Sequence, residues 1–190
     1  MALLPILTAP DPRLKKKSKP VETVDDGVRR LMDDMLETMY AAPGIGLAAP
    51  QVGELWRVIV LDIDREEVKT GPMVMANPEI IEASDEDATY EEGCLSVPEH
   101  YSDVSRPAKV RVRYLDRDSK QQEVDCEGLL ATCVQHEIDH LDGTLFIDHI
   151  SALKRSMILR KLLKARKEKE REGAEGKPAA AKAKDHAPAL

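Results

Sequence analysis

The sequence predicts an α+β domain, with antiparallel or mixed sheets packed around a central metal-binding HExxH helix and with further helices at the N- and C-terminal ends. Three observations predict it. An apolar stripe at helical spacing opens the chain, short β-rich runs fill its middle, and His136-Glu137-Ile138-Asp139-His140 follows them late. Strands that come in a block before a late helix give the α+β pattern, not the regular alternation of a parallel sheet.

The first element is a helix from about Val24 to Tyr40. Val28, Leu31, Met32, Met35, Leu36 and Met39 recur at three- and four-residue steps and mark one apolar face. Several methionines on one helix could suggest a soft-metal site, but a core face accounts for all of them. Gly44 to Gln51 follows, a loop of small residues in which the backbone can approach another group closely. Trp56 to Asp62 reads as a largely buried strand, and Met73–Ala76 and Ile80–Ala83 as two shorter ones. Val110, Val112 and Tyr114 alternate with Arg111 and Arg113, so that strand has one wet face. The metal-binding helix begins near Gly128 and stops at Gly143. A last helix spans Ser151 to about Arg171 through Leu153, Met157, Ile158 and Leu162. Residues 1–171 then form a single catalytic domain. Residues 172–190, rich in Ala, Lys, Pro and Gly, read as a disordered low-complexity tail.

At 190 residues and 42% hydrophobic content the chain is long enough for one domain with a proper core. Its three cysteines have no framework spacing and argue for a reducing compartment. No apolar run approaches the roughly 18 residues that span a membrane, and Met1 to Leu7 is too short and lacks the basic start of a secretion signal. A cytoplasmic enzyme without membrane association or a specific DNA partner is expected. Charge is unevenly spread. From Lys154 to Leu190 there are 12 Lys or Arg against 5 Asp or Glu, net +7; the body before it has 16 against 30, net −14. A basic extension on an acidic body reads as a solvated, self-repelling helix, or as a handle for ribosomal RNA.

The chemistry centres on residues 136–140. On a helix, positions i and i+4 share a face, so both imidazoles can point at one ion. Glu137, beside the first of them, can act as general base on a water. A hydrolytic site needs a third ligand. One helical template would place a His where this chain has Phe146; another would use a later Glu, and Glu168, Glu170 and Glu172 lie in a solvated charge run. Upstream, Cys94 sits between Gly93 and Leu95-Ser96 in a turn-like stretch where a thiolate could meet a metal. Cys126 and Cys133 remain alternatives. Cys133 is near the ligand face of the same helix, and Cys126 reads as an ordinary strand cysteine. The Gly44–Gln51 loop lacks the Lys and Ser/Thr of a phosphate loop. Gln51 at its end is a neutral donor able to polarise a carbonyl.

Three segments, in this order, resemble the peptide deformylases: the GxGxAAxQ loop at Gly44–Gln51, EGCLS at Glu92–Ser96, and QHExDH at Gln135–His140. The similarity extends to Ala9–Leu14 and Arg106-Pro107 and runs over roughly residues 3–165. The resemblance implies a metal held by Cys94, His136 and His140. Ferrous iron, one per chain, is the usual occupant, with Zn²⁺, Ni²⁺ or Co²⁺ as substitutes. It implies an N-formyl-methionyl nascent polypeptide as substrate and formate as product. Glu137 would move the proton, while the Gln51 side chain and the Leu95 backbone N–H would stabilise charge on the formyl oxygen. Ile45, Tyr90, Leu129, Cys133 and the His136 ring would wall the methionine slot. Gly46 would bond the substrate main chain, and Glu92 with Arg106 would steady the cysteine segment. A zinc endopeptidase shares the HExxH helix but gives Cys94 and the glycine loop no task. A purely structural metal site would need Cys126 or Cys133 as a fourth ligand, and has no use for Glu137 or Gln51.

Overall fold

The computed structural model describes residues 2–63 and 71–175. A short 3-10 turn (Pro12–Lys15) and one α-helix, α1 (Asp26–Ala41), precede seven strands: β1 (Gly46–Ala48), β2 (Val58–Leu61), β3 (Met73–Ala83), β4 (Asp87–Cys94), β5 (Val97–Pro107), β6 (Lys109–Leu115) and β7 (Gln121–Glu127). Two helices follow, α2 (Gly128–Leu141) and α3 (Ala152–Glu175). β1-β2-β3-β6-β7 form one antiparallel sheet, and β4-β5 pair as a separate hairpin.

α1 starts two residues later than the apolar spacing suggests, because Asp25 caps it: its carboxylate accepts the Val28 N–H at 2.9 Å. Met32, Met35 and Met39 are buried in one cluster with Leu47, Val58 and Val60. The methionine stripe is therefore core. α2 lies across the other side of the sheet. Its Ala131, Val134, Ile138 and Leu141 pack with Ile59, Leu61, Met75, Val110 and Val112. A third cluster joins Cys94, Val97 and Val104 of the hairpin to Phe146, Ile147 and Leu162.

Two strand readings change. Trp56 lies outside β2, 42% exposed and bridged only to Lys19, so the buried strand is the shorter Val58–Leu61. Met73–Ala76 and Ile80–Ala83 are the ends of one strand. The register shifts between Ala76 and Glu79, and Asn77 takes φ 51°. Pro78 has no N–H to give a ladder, so a bulge absorbs the irregular pair and pairing resumes beyond it. The Asn77 side chain, freed from the ladder, bonds both the N–H and the C=O of Val21 at 2.8 and 2.7 Å. On β6, Arg111 reaches Asp125 and Glu82 while Arg113 reaches Glu123, which makes the wet face a ladder of opposite charges.

Gly143 ends the α2 region with φ 76°, and a Cβ there would press into the Lys15 backbone. Both facts favour glycine at that position. On α3, Ile158 and Leu162 face the body, whereas Leu153 and Met157 face outward among basic residues. The helix continues to Glu175, and the remainder of the expected tail, 176–190, lies outside the described residues. No described helix is long and apolar enough to cross a membrane.

Candidate metal centre

α2 carries His136, Glu137 and His140, all buried, on the face turned toward the end of β4. There Cys94, 3% exposed, closes the group. Its Sγ is 3.2 Å from the His140 Nε2, and the ligand atoms of Cys94, His136 and His140 all lie within 4.8 Å of one another. Cys94 ends β4 just before the Leu95-Ser96 turn, as the turn-like stretch suggested, and is buried because the strand ends against the helix. The His136 Nδ1 is engaged by the Glu92 Oε2 at 2.9 Å, which leaves Nε2 buried with no hydrogen-bond partner among the described residues. Leaving such a group unsatisfied costs about 1–3 kcal/mol. One thiolate and two imidazoles, with a buried imidazole nitrogen unspent, fit a divalent transition ion with an open coordination position.

The surroundings orient these ligands. Glu92 is fully buried and grips Arg106 through both oxygens, Oε1 to Nε at 2.6 Å and Oε2 to Nη2 at 3.0 Å. Burial would raise the Glu92 carboxyl, but the hydrogen bonds from His136 and Arg106 outweigh it and hold the group at about 2. It is therefore an anion that fixes the His136 tautomer with the proton on Nδ1. Arg106 also donates to Asp139 at 2.8 Å, and Asp139 accepts from the His149 Nε2 at 2.7 Å. Phe146 stacks on the His136 ring, with centroids 6.3 Å apart and planes at 22°.

Around the thiol, the Ser96 N–H and the Gln51 Nε2 approach the Cys94 Sγ at 3.4 and 3.5 Å. Gln51 is fixed in place because its Oε1 accepts the Ala48 N–H at 2.8 Å. Burial, with the nearby Glu137 charge, pushes the Cys94 thiol well up, while the Ser96 and Val97 amides pull it partly back. Burial likewise raises the Glu137 carboxyl, helped by the Glu92 charge, and lowers His140, helped by His136. Both Glu137 oxygens lack a hydrogen-bond partner among the described residues. A cation at this point would relieve the costs of the thiolate and of the Glu137 anion together.

The Gly-rich loop supplies the opposite wall. Gly46 lies so close to α2 that a Cβ would meet the Cys133 Sγ at 2.9 Å and press into the Glu137 carboxylate. Cys133 is fully buried there, its thiol 3.8 Å from the Ile45 carbonyl. Ile45 is buried and Tyr90 half-buried, whereas Leu129 is 41% exposed and can only form a rim. Cys126, on β7, falls in the sheet core and is not part of the ligand group. The residue spacing did not single out Asp139, His149 or Ser96 for roles here. Asp139 was visible inside the HEIDH pentapeptide, and Phe146 was visible where a histidine was sought.

Comparison with other proteins agrees with this geometry. The sequence model of the polypeptide deformylase family matches residues 3–156. A peptide deformylase of Mesorhizobium japonicum is 57% identical over 169 residues, 89% of this chain and 96% of the relative. One from Phenylobacterium zucineum is 60% identical over 164 residues, 86% and 97% of the two chains. The crystal structure of peptide deformylase from Ehrlichia chaffeensis superposes with a TM-score of 0.84 at 40% identity, covering 88% of this chain and 99% of that one. Its complex with actinonin gives 0.83 at 43% identity, covering 87% and 98%. With a buried Cys-His-His group beside a glutamate that has no hydrogen-bond partner among the described residues, and with this likeness over most of its length, the chain belongs to the polypeptide deformylase family, metalloenzymes that remove the N-formyl group from new polypeptides.

Proposed function

We propose that Cys94, His136 and His140 hold one divalent ion, ferrous iron in the cell, and that Glu137 is the general base by which water hydrolyses the formyl-methionyl amide at this point. The observation that carries the reading is Glu137: a fully buried carboxylate without a hydrogen-bond partner among the described residues, adjacent to the ligand group. A structural metal site would have no use for it. An ion held by Cys94, His136 and His140 would supply Lewis acidity, which lowers the pKa of water toward neutrality.

The remaining steps belong to the chain. Glu137 takes one proton as the water oxygen bonds to the formyl carbon. The Gln51 amide and the Leu95 backbone N–H carry the charge that grows on the formyl oxygen; losing one such donor typically costs about 3–4 kcal/mol of barrier. When the C–N bond breaks, Glu137 returns its proton to the amine and formate leaves. A formyl carbon bears only hydrogen, so it needs little room beside the buried ligand group. Ile45, Cys133, Tyr90 and the His136 ring wall the methionine slot, with Leu129 at its rim.

The experiment is formate release from N-formyl-Met-Ala-Ser by protein purified without oxygen, with metals counted in parallel. Release with about one iron per chain is expected. Metal-loaded protein that releases no formate would overturn the reading. The substrate also suggests a task for α3. Its exposed basic face, interrupted by Leu153 and Met157, is suited to ribosomal RNA where nascent chains emerge. Replacing the exposed Arg160, Lys161, Lys164 and Lys167 by Glu, which leaves Leu162 in the core, should abolish salt-sensitive co-sedimentation with ribosomes. Unchanged co-sedimentation across a salt series would remove this role.

A further inference from the structure

His149 lies on the surface, its side chain 36% exposed, yet it is the outer end of a continuous chain of charged hydrogen bonds to a metal ligand. His149 Nε2 donates to the Asp139 Oδ2 at 2.7 Å, and Arg106 Nη1 donates to that same oxygen at 2.8 Å. Arg106 clamps both oxygens of Glu92, and the Glu92 Oε2 accepts from the His136 Nδ1 at 2.9 Å. We propose that His149 is a positioning residue for His136, holding the Asp139 carboxylate so that the Arg106–Glu92 clamp keeps the ligand imidazole at its working angle. The inference rests on the metal-site reading above and extends it to a residue outside all three family motifs.

The physical case has two parts. Arg106 is buried and cannot turn to water, so its orientation depends on its two anions. Glu92 is locked; Asp139, with a quarter of its side chain exposed, is not. Without the His149 donor, Asp139 can rotate toward solvent. The guanidinium then pivots about Glu92 and carries the shared Oε2, and with it the His136 ring. The turn that carries His149 is itself braced. Asp148 accepts the Leu145 N–H at 2.8 Å, Arg155 at 3.3 Å and the Lys15 ammonium. Two residues before Asp148, Phe146 stacks on His136. The segment 146–149 therefore touches the ligand ring twice, through a π-face and through a relay of hydrogen bonds.

The test uses zinc-loaded protein and the rate at which zinc passes to a chromophoric chelator, beside kcat, KM and melting temperature. Changes around ligating histidines typically cost 10–100-fold in metal affinity. His149→Phe keeps the ring volume and removes the donor, so it should release zinc about tenfold faster, at the lower end of that range because it acts through two intermediaries. His149→Gln restores an N–H near the Nε2 position and should return release to within about twofold of the unaltered protein. KM should stay unchanged in both. In an Asp139→Asn background, His149→Phe should add nothing further. Release by His149→Phe at the unaltered rate, failure of Gln to restore it, or additive effects in the double variant would each overturn the proposal. An unaltered chain that holds no zinc would bring down the metal-site reading and this inference with it.

Discussion

Gly46→Ala should disable turnover while leaving the protein folded and metal-loaded. The added methyl carbon would stand 2.9 Å from the Cys133 Sγ and 3.0 Å from the Glu137 Cδ, with a carboxylate oxygen nearer still. Carbon pairs rest at about 3.5–4.0 Å, so one side must retreat by roughly 0.5–1 Å. Cys133 is set in the middle of α2 and packed in the core. The Glu137 carboxylate has no hydrogen bond to hold it among the described residues, so it is the part that gives. Overpacking of this size costs about 1–3 kcal/mol of stability. A displacement near 1 Å at a catalytic group can cost about 10²-fold in rate. The expected result is a fall in kcat of about ten- to a hundredfold in the formate-release assay, with bound metal unchanged and a melting temperature lowered by a few degrees. If kcat stayed within about threefold at full metal occupancy, the packing argument for glycine at this position would be refuted.

Three further outcomes follow from the same site. Glu137→Gln preserves shape and should retain the metal while turnover falls by about 10²–10⁴-fold; full activity would sink the assignment of Glu137. Phe146→Ala removes a fully buried ring stacked on His136 and should lower stability by about 3–5 kcal/mol, read by urea unfolding; a loss below about 1 kcal/mol would show that the surroundings collapse to fill the space. Because burial raises the Cys94 thiol and lowers His140, the metal-free protein at neutral pH carries a protonated thiol and a neutral imidazole. Metal uptake must then expel the thiol proton, so affinity should rise about tenfold per pH unit as pH increases from 6 to 8. A flat profile in chelator competition would show that the thiolate is already formed without metal.

Local pattern made some elements legible and left others hidden. α1 and α2 were readable because an amphipathic helix repeats its burial every three or four residues, and the HExxH spacing lies within one such repeat. β6 was readable from the alternation of valine and arginine. The continuity of β3 was not, since Asn77 and Pro78 break the local signal while the flanking strands restore the pairing. Spacing also left three cysteines open as the third ligand. The choice among them depends on contact between residues 42 to 46 apart, Cys94 with His136 and His140, which no local period encodes. The same holds for Arg106, Asp139 and His149, whose ion pairs cross from the hairpin to α2 and to the turn beyond it.

Among the described residues the β4-β5 hairpin shares no strand pairing with the five-stranded sheet, yet it delivers Cys94, Glu92 and Arg106 to a helix that delivers the histidines. An ion bound there would add one more tie to the packing, the Arg106–Asp139 pair and the Glu92–His136 hydrogen bond that already join the hairpin to α2. An ion that binds only the folded state stabilises it by about 2.7 kcal/mol at a hundredfold excess over its dissociation constant. Metal supply then governs more than catalysis. A chain without its ion would keep the hairpin's own contacts to α2 and to Phe146 and give up only that increment, so metal supply sets stability as well as turnover.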